Sequence, residues 1–138
     1  MVKDISSGFD TFENLQVCGG NLFFTTDDGV HGIELWKTDG TSSGTVLVKD
    51  IYPGSTGSGP SYLVALGSNL LFAATDVENG TELWISDGTA DGTKLFRDIR
   101  SGPSSSSPEH LQNIGGDLYL SAEDVNGREL WKFDASEF

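Results

Sequence analysis

The sequence predicts an all-β protein in which one four-stranded unit is copied three times, and three observations lead there. Glu-Leu-Trp with an Asp three positions after the Trp recurs at Glu34-Leu35-Trp36 with Asp39, Glu82-Leu83-Trp84 with Asp87, and Glu129-Leu130-Trp131 with Asp134. Trp84 follows Trp36 by 48 residues and Trp131 follows Trp84 by 47, a period that marks a repeat architecture. Between these landmarks run short stretches of β-branched and aromatic residues punctuated by Gly, Asn and Asp, with no helical periodicity of useful length. The chain carries 18 Gly in 138 residues against a 36% apolar content, so turns are many and the core is lean.

The copies agree well beyond the tryptophan. Asp4-Ile5, Asp50-Ile51 and Asp98-Ile99 each follow a basic residue, Lys3, Lys49 or Arg97. Leu15, Leu63 and Leu111 head runs that reach Gly19, Gly67 and Gly115. Asn21-Leu22-Phe23-Phe24, Asn69-Leu70-Leu71-Phe72 and Asp117-Leu118-Tyr119-Leu120 come next, then Asp28, Asp76 and Asp124. Asp-Gly-Thr-x-x-Gly-Thr closes two copies, at Asp39 to Thr45 and Asp87 to Thr93, whereas the third reads Asp134-Ala135-Ser136.

In the second copy the expected strands are Tyr62 to Leu66, Leu70 to Thr75, Glu82 to Ser86 and Leu95 to Ile99. Gly67-Ser68-Asn69, the stretch from Asp76 to Gly80, and Asp87-Gly88-Thr89 supply the turns. Leu70-Leu71-Phe72-Ala73-Ala74 is apolar at consecutive positions, so both of its faces need cover. Leu95-Phe96-Arg97-Asp98-Ile99 mixes charge with apolar residues, as a solvent-facing edge does. An inner strand covered on both faces and a charged outer edge describe a sheet standing between two others, the blade of a β-propeller. The Gly-, Ser- and Pro-rich loops Tyr52 to Ser61 and Arg100 to Glu109 then cross from the outer edge of one blade to the next.

The sequence is read as one unit, 1–138, with repeats at about 6–51, 52–99 and 100–138. It opens on a fourth strand, Val2 to Ile5, and closes on a third, Glu129 to Phe133, which predicts three blades and twelve strands with one blade split between the termini. Three blades fall below the ~4–8 of ordinary propellers, so the frame predicts a homo-oligomer or an excerpt from a longer protein. The favoured form is a homodimer closing a six-bladed ring, with Val2, Lys3, Asp4 and Ile5 of one copy meeting Leu130 and Trp131 of the other.

Glu34 to Thr41 and Glu82 to Thr89 resemble the bacterial repeats named for the pattern E-L-W-x-x-D-G-T, also labelled hyalin-like. The continuation Gly44-Thr45-Val46-Leu47-Val48-Lys49-Asp50-Ile51-Tyr52-Pro53-Gly54 is similar to that family as well, so the resemblance covers essentially the whole chain. It departs at Ala135, where the pattern has Gly, and in the first copy, which lacks the counterpart of Pro60 and Pro108. The resemblance implies propeller blades of large secreted or surface proteins, with no catalytic residues to carry over. The N-terminal Met1-Val2-Lys3-Asp4 has no hydrophobic signal segment, so the expectation is a trimmed start or a protein that is not exported as it stands.

A net charge of −13 with only eight scattered Lys and Arg argues against nucleic acid and anionic membrane as partners, and no apolar run reaches the ~20 residues of a membrane span. Cys18 is the only cysteine, which excludes a disulfide framework, and it stands where the other copies have Leu66 and Ile114, so it is expected to be a small buried apolar group.

Asp28, Asp76 and Asp124, each with a Glu five or six residues on, are the calcium candidates, but their segments lack the alternating oxygen ligands of an EF-hand loop, and Asp in a turn commonly bonds its own backbone. Asp39 and Asp87, before Gly, read as turn formers. Trp36, Trp84 and Trp131 are expected to pack between blades, with an aromatic glycan site as the alternative. His31 and His110 are expected to lack a Ser, Cys or acid partner at catalytic spacing, so no catalytic residues, cofactor or enzymatic activity are expected. The expected function is a self-assembling structural or interaction scaffold, the alternative a propeller that binds calcium or a glycan.

Overall fold

The computed structural model describes residues 1–5 and 11–138. Its strands are β1 (Glu13–Cys18), β2 (Asn21–Asp27), β3 (Ile33–Thr38), β4 (Val46–Lys49), β5 (Ser61–Leu66), β6 (Asn69–Asp76), β7 (Gly80–Ser86), β8 (Lys94–Arg97), β9 (Glu109–Ile114), β10 (Asp117–Asp124) and β11 (Gly127–Phe133). They form three antiparallel sheets, β1-β2-β3-β4, β5-β6-β7-β8 and β9-β10-β11, each a simple meander. The helical content among the described residues is one 3-10 turn, Ala135–Glu137.

The strands obey the pattern read from the sequence. Along β6, Leu70 to Ala74 are all buried, as a strand covered on both faces requires. Along β8, Lys94 and Arg97 are exposed and the two residues between them half-buried, as expected of an edge. The first strands of successive sheets lie side by side, β1 by β5 and β5 by β9, and an irregularity recurs in each of them. At that irregularity Asn14, Tyr62 and His110 take positive φ of 53°, 54° and 57°. Left-handed backbone is uncommon in non-glycine residues, so its recurrence at one repeat position identifies a shared bulge rather than a local accident.

Two apolar clusters lie between successive sheets. Cys18, Phe23, Leu35, Val48 and Ile51 of the first sheet meet Leu70, Phe72, Ala74 and Trp84 of the second. Leu66, Leu71, Leu83 and Ile85 of the second meet Leu111, Leu118, Leu120, Ala122 and Phe133 of the third. Cys18 is buried and free, the packing role expected of it. Neither cluster belongs to one sheet, which is why one unit is a poor domain on its own.

The Asp-Gly-Thr-x-x-Gly-Thr motif builds the turn between the third and fourth strands. Asp87 Oδ1 accepts the backbone N–H and the hydroxyl of Thr89, at 2.8 and 2.7 Å, and the Thr89 hydroxyl in turn accepts the Gly92 N–H at 2.9 Å. A side chain at Gly92 would collide with the Asp87 carboxylate, so the second glycine is there for space. Asp39, Thr41 and Gly44 repeat the arrangement. Both Asp carboxyls sit below the ordinary aspartate value because the Thr hydroxyl, then the Thr backbone N–H, stabilises the charged form. In the third copy Ala135 stands in place of glycine, and the chain forms the 3-10 turn instead, with the Asp134 N–H donated to Glu137.

One expected strand is missing. Val2 to Ile5 carries no ladder, so the described residues give eleven strands rather than twelve, and β11 has β10 as its sole strand partner. A strand exists only beside another, and within one chain the second sheet separates the N-terminal residues from β11. The fourth strand of the second copy also ends sooner than predicted, at Arg97 rather than Ile99, because Asp98 and Ile99 turn towards the crossing loop.

Candidate functional site

The Glu of each Glu-Leu-Trp lies on the third strand of its sheet, and in two copies it is the centre of a clamp. Glu82 is fully buried. Its carboxylate accepts the Ile99 N–H at 2.9 Å, the Ser106 N–H at 2.7 Å and the Ser106 hydroxyl at 2.6 Å. Glu34, equally buried, accepts the Tyr52 and Ser58 N–H groups at 2.9 Å and the Ser58 hydroxyl. Burial pushes both carboxyls above the ordinary glutamate value, and the Ser58 and Ser106 hydroxyls pull them partly back.

The clamped serine also ties one sheet to the next. The Ser58 carbonyl accepts the Thr75 N–H of the second sheet at 2.9 Å, and the Ser106 carbonyl accepts the Glu123 N–H of the third at 2.7 Å. Each crossing loop is therefore gripped by a buried carboxylate near its start and at its serine, and that serine also bonds the following sheet. Gly57 and Gly32 meet in one such crossing, where a Cβ on either would strike the other's backbone. Ser58 and Ser106 each lie 24 residues after their Glu, a repeated spacing that the sequence displays and that the motif reading passed over.

A basic residue makes the second tie between sheets. Lys49 Nζ donates to the Thr93 carbonyl of the second sheet at 2.7 Å, and Lys3 Nζ donates to the Thr45 carbonyl of the first at 2.8 Å. Arg97, at the same repeat position, reaches Glu137 at 2.7 Å beside the third sheet. Met1 to Ile5 therefore stand against the first sheet in the place that β4 takes against the second. Val2, Ile5, Phe12, Leu15 and Phe24 line an apolar cleft there of about 310 Å³.

The third sheet lacks what the first two have. Glu129 is exposed, and Leu130 is 77% exposed where Leu35 and Leu83 are 0% exposed. Ile114, at the position of buried Cys18 and Leu66, is 62% exposed. The outer edge of β11 and the forward face of its sheet are open together.

Trp36 and Trp84 are buried, at 7% and 6% exposure, with neither indole N–H bonded, so neither ring offers a free face to a sugar. Trp84 belongs to the cluster between the first and second sheets. Trp131 is half-buried, packs on the cluster between the second and third sheets and donates its indole N–H to the Ala122 carbonyl at 3.3 Å.

The calcium candidates are engaged in their own turns. Asp28 Oδ1 accepts the Val30 and His31 N–H groups, Asp76 Oδ1 those of Glu78 and Asn79, and Asp124 Oδ1 that of Asn126. Among the described residues no three His, Cys, Asp or Glu side chains group as a metal site would. One expectation is corrected: His31 does have an acid partner, its Nδ1 lying 2.7 Å from Asp28 Oδ2. The turn brings these side chains together three residues apart, and Asn79 bonds Asp76 in the same way, so the contact closes a turn. His110 too has an acid nearby, its exposed Nε2 lying 4.0 Å from Glu109 Oε2, and its ring makes a T-shaped contact with Tyr62, ring centroids 5.6 Å apart.

No family model matches the chain, and neither a curated protein nor a solved structure matches it.

Proposed function

We propose that this chain is a non-catalytic scaffold that assembles with itself, its three sheets acting as blades of a β-propeller that two copies complete to a six-bladed ring. The observation that carries this reading is the exposure of Leu130, a residue whose two counterparts are sealed between sheets. A large apolar side chain held on a flat sheet face beside an unpaired strand edge is a surface built for contact. The repeated stacking of sheet on sheet supports propeller geometry, and so does the resemblance of Glu34 to Thr41 and Glu82 to Thr89 to blade-forming repeats. Two copies bring two open forward faces against two first-sheet faces, a head-to-tail contact that closes when the ring does.

The test is the mass in solution by light scattering. A species of twice the 14.7 kDa chain mass is expected, and a compact monomer at micromolar concentration would overturn the reading. Because each copy carries a net charge of −13, self-repulsion opposes assembly, and the dimer should strengthen as salt is added.

A further inference from the structure

We propose that Glu129 is the unfilled member of the clamp series, and that its missing partner is the N-terminal segment Met1 to Ile5 of a second copy. The strand of that segment lies along β11 with Lys3 opposite Leu130, and its Ile5 N–H is donated to the Glu129 carboxylate. This inference rests on the assembly proposed above and specifies its seam.

The register follows from the two sheets that are complete. β3 and β4 pair with Leu35 opposite Lys49 and Trp36 opposite Leu47. β7 and β8 pair with Leu83 opposite Arg97 and Trp84 opposite Leu95. Lys3 holds the repeat position of Lys49 and Arg97, and Met1 that of Leu47 and Leu95. Carried to the open edge, the pairing sets Lys3 against Leu130 and Met1 against Trp131. The clamp of the second sheet gives the donor: Glu82 receives the Ile99 N–H, whose counterpart is Ile5, while Glu34 takes the N–H one residue further on, that of Tyr52.

Both halves of this seam are already in place in a single chain. The N-terminal segment is held against the first sheet by the Lys3–Thr45 contact, as β4 is held against the second by Lys49–Thr93. It thus stands where the outer strand of a sheet preceding the first would lie, without yet having a strand to pair with. The third sheet lacks an outer strand and exposes Glu129 and Leu130. Joining the two halves continues an interface that the chain forms twice within itself. A chain cannot join them alone, because its second sheet lies between them, β1 beside β5 and β5 beside β9. The occupant is therefore a second copy.

The test is a cysteine pair, Lys3→Cys with Leu130→Cys, in the full chain. Cross-strand neighbours fall within the Cα separation that a disulfide spans, about 4.4–6.8 Å. Mild oxidation should convert the double variant to a covalent dimer, while each single variant, which also contains buried Cys18, stays unlinked. In parallel, Glu129→Ala should raise the dimer dissociation constant about tenfold or more, with Glu129→Gln much closer to the parent because its amide oxygen still accepts the Ile5 N–H. A parent that is monomeric and does not cross-link overturns the ring and the seam together. A dimer that neither cross-links nor responds to Glu129→Ala overturns the seam alone and moves the contact to another face. A cross-link confined to monomers overturns the second copy as occupant.

Discussion

The second and third sheets present the same motif in two conditions. Glu82-Leu83-Trp84 is enclosed: the carboxylate holds three donors, the leucine is sealed, and the indole is buried against the first sheet. Glu129-Leu130-Trp131 has the same strand, the same register against its second strand and almost none of the enclosure. Leu120 pairs with Trp131 as Phe72 pairs with Trp84. The pairing of strands is thus local to a sheet, while burial of the motif is a property of neighbours. An Ala scan of the two copies should separate these contributions.

The largest expected contrast is at tryptophan. Trp84→Ala should destabilise the chain by about 3–5 kcal/mol, the range for a large aromatic lost from a core. Trp131→Ala, half-exposed, should cost less than half of that when both are measured by urea unfolding under the same conditions. Equal losses would mean that the third sheet is enclosed in solution as fully as the second.

The glutamates come next. Glu82→Ala leaves the Ile99 N–H and both Ser106 donors without their acceptor and should cost about 2–3 kcal/mol. Glu129→Ala should leave the stability of a single chain unchanged, because the exposed carboxylate holds no buried donor among the described residues. A marked loss at Glu129 in dilute protein would show that its partner is already bound there.

The smallest effect is on pH dependence. Glu34 and Glu82 bind their protons more tightly when folded than the ordinary value of 4.5, so they favour the fold below that value and lose this contribution as pH rises through their raised values. Asp39 and Asp87 act oppositely: their lowered carboxyls favour the fold above the ordinary 3.8 and lose that contribution as pH falls below it. The urea midpoint should rise on acidification from neutral toward about pH 5 and fall again below about pH 4. The double variant Glu34→Gln, Glu82→Gln should reduce the rise, leaving the share of His31, whose imidazole the hydrogen bond to Asp28 holds above its ordinary value, and keep the fall. A midpoint that declines steadily from pH 7 downward would contradict the burial-driven shift.

The sheets were legible because their signals are local. Leu70 to Ala74 announces a strand covered on both faces, and Asp87-Gly88-Thr89 announces its turn, whatever surrounds them. The clamps were much less legible, since the link between Glu82 and Ser106 spans 24 residues and appears only when the crossing loop is laid down. Val2 to Ile5 shows the reverse failure. Its residues match a fourth strand, but a strand needs a neighbour, and sequence pattern is blind to whether one is within reach. The His31–Asp28 pair escaped for a simpler reason: a three-residue spacing in a turn was not read as a contact.

Because the main contacts between sheets among the described residues run from each to the next, the chain behaves as a short one-dimensional array with free boundaries. Three units in a row have two junctions and two ends, whereas six units in a circle have six junctions and no ends. Closing two rows into one circle therefore adds two junctions of the kind each row already contains twice. In the proposed ring the same side chain contributes to different equilibria according to its place: a weakened Trp84 lowers the stability of the row, while a weakened Leu130 would leave the row intact and act on closure. Under that proposal folding and assembly share one type of junction and can be tuned apart by choosing the copy in which to alter it.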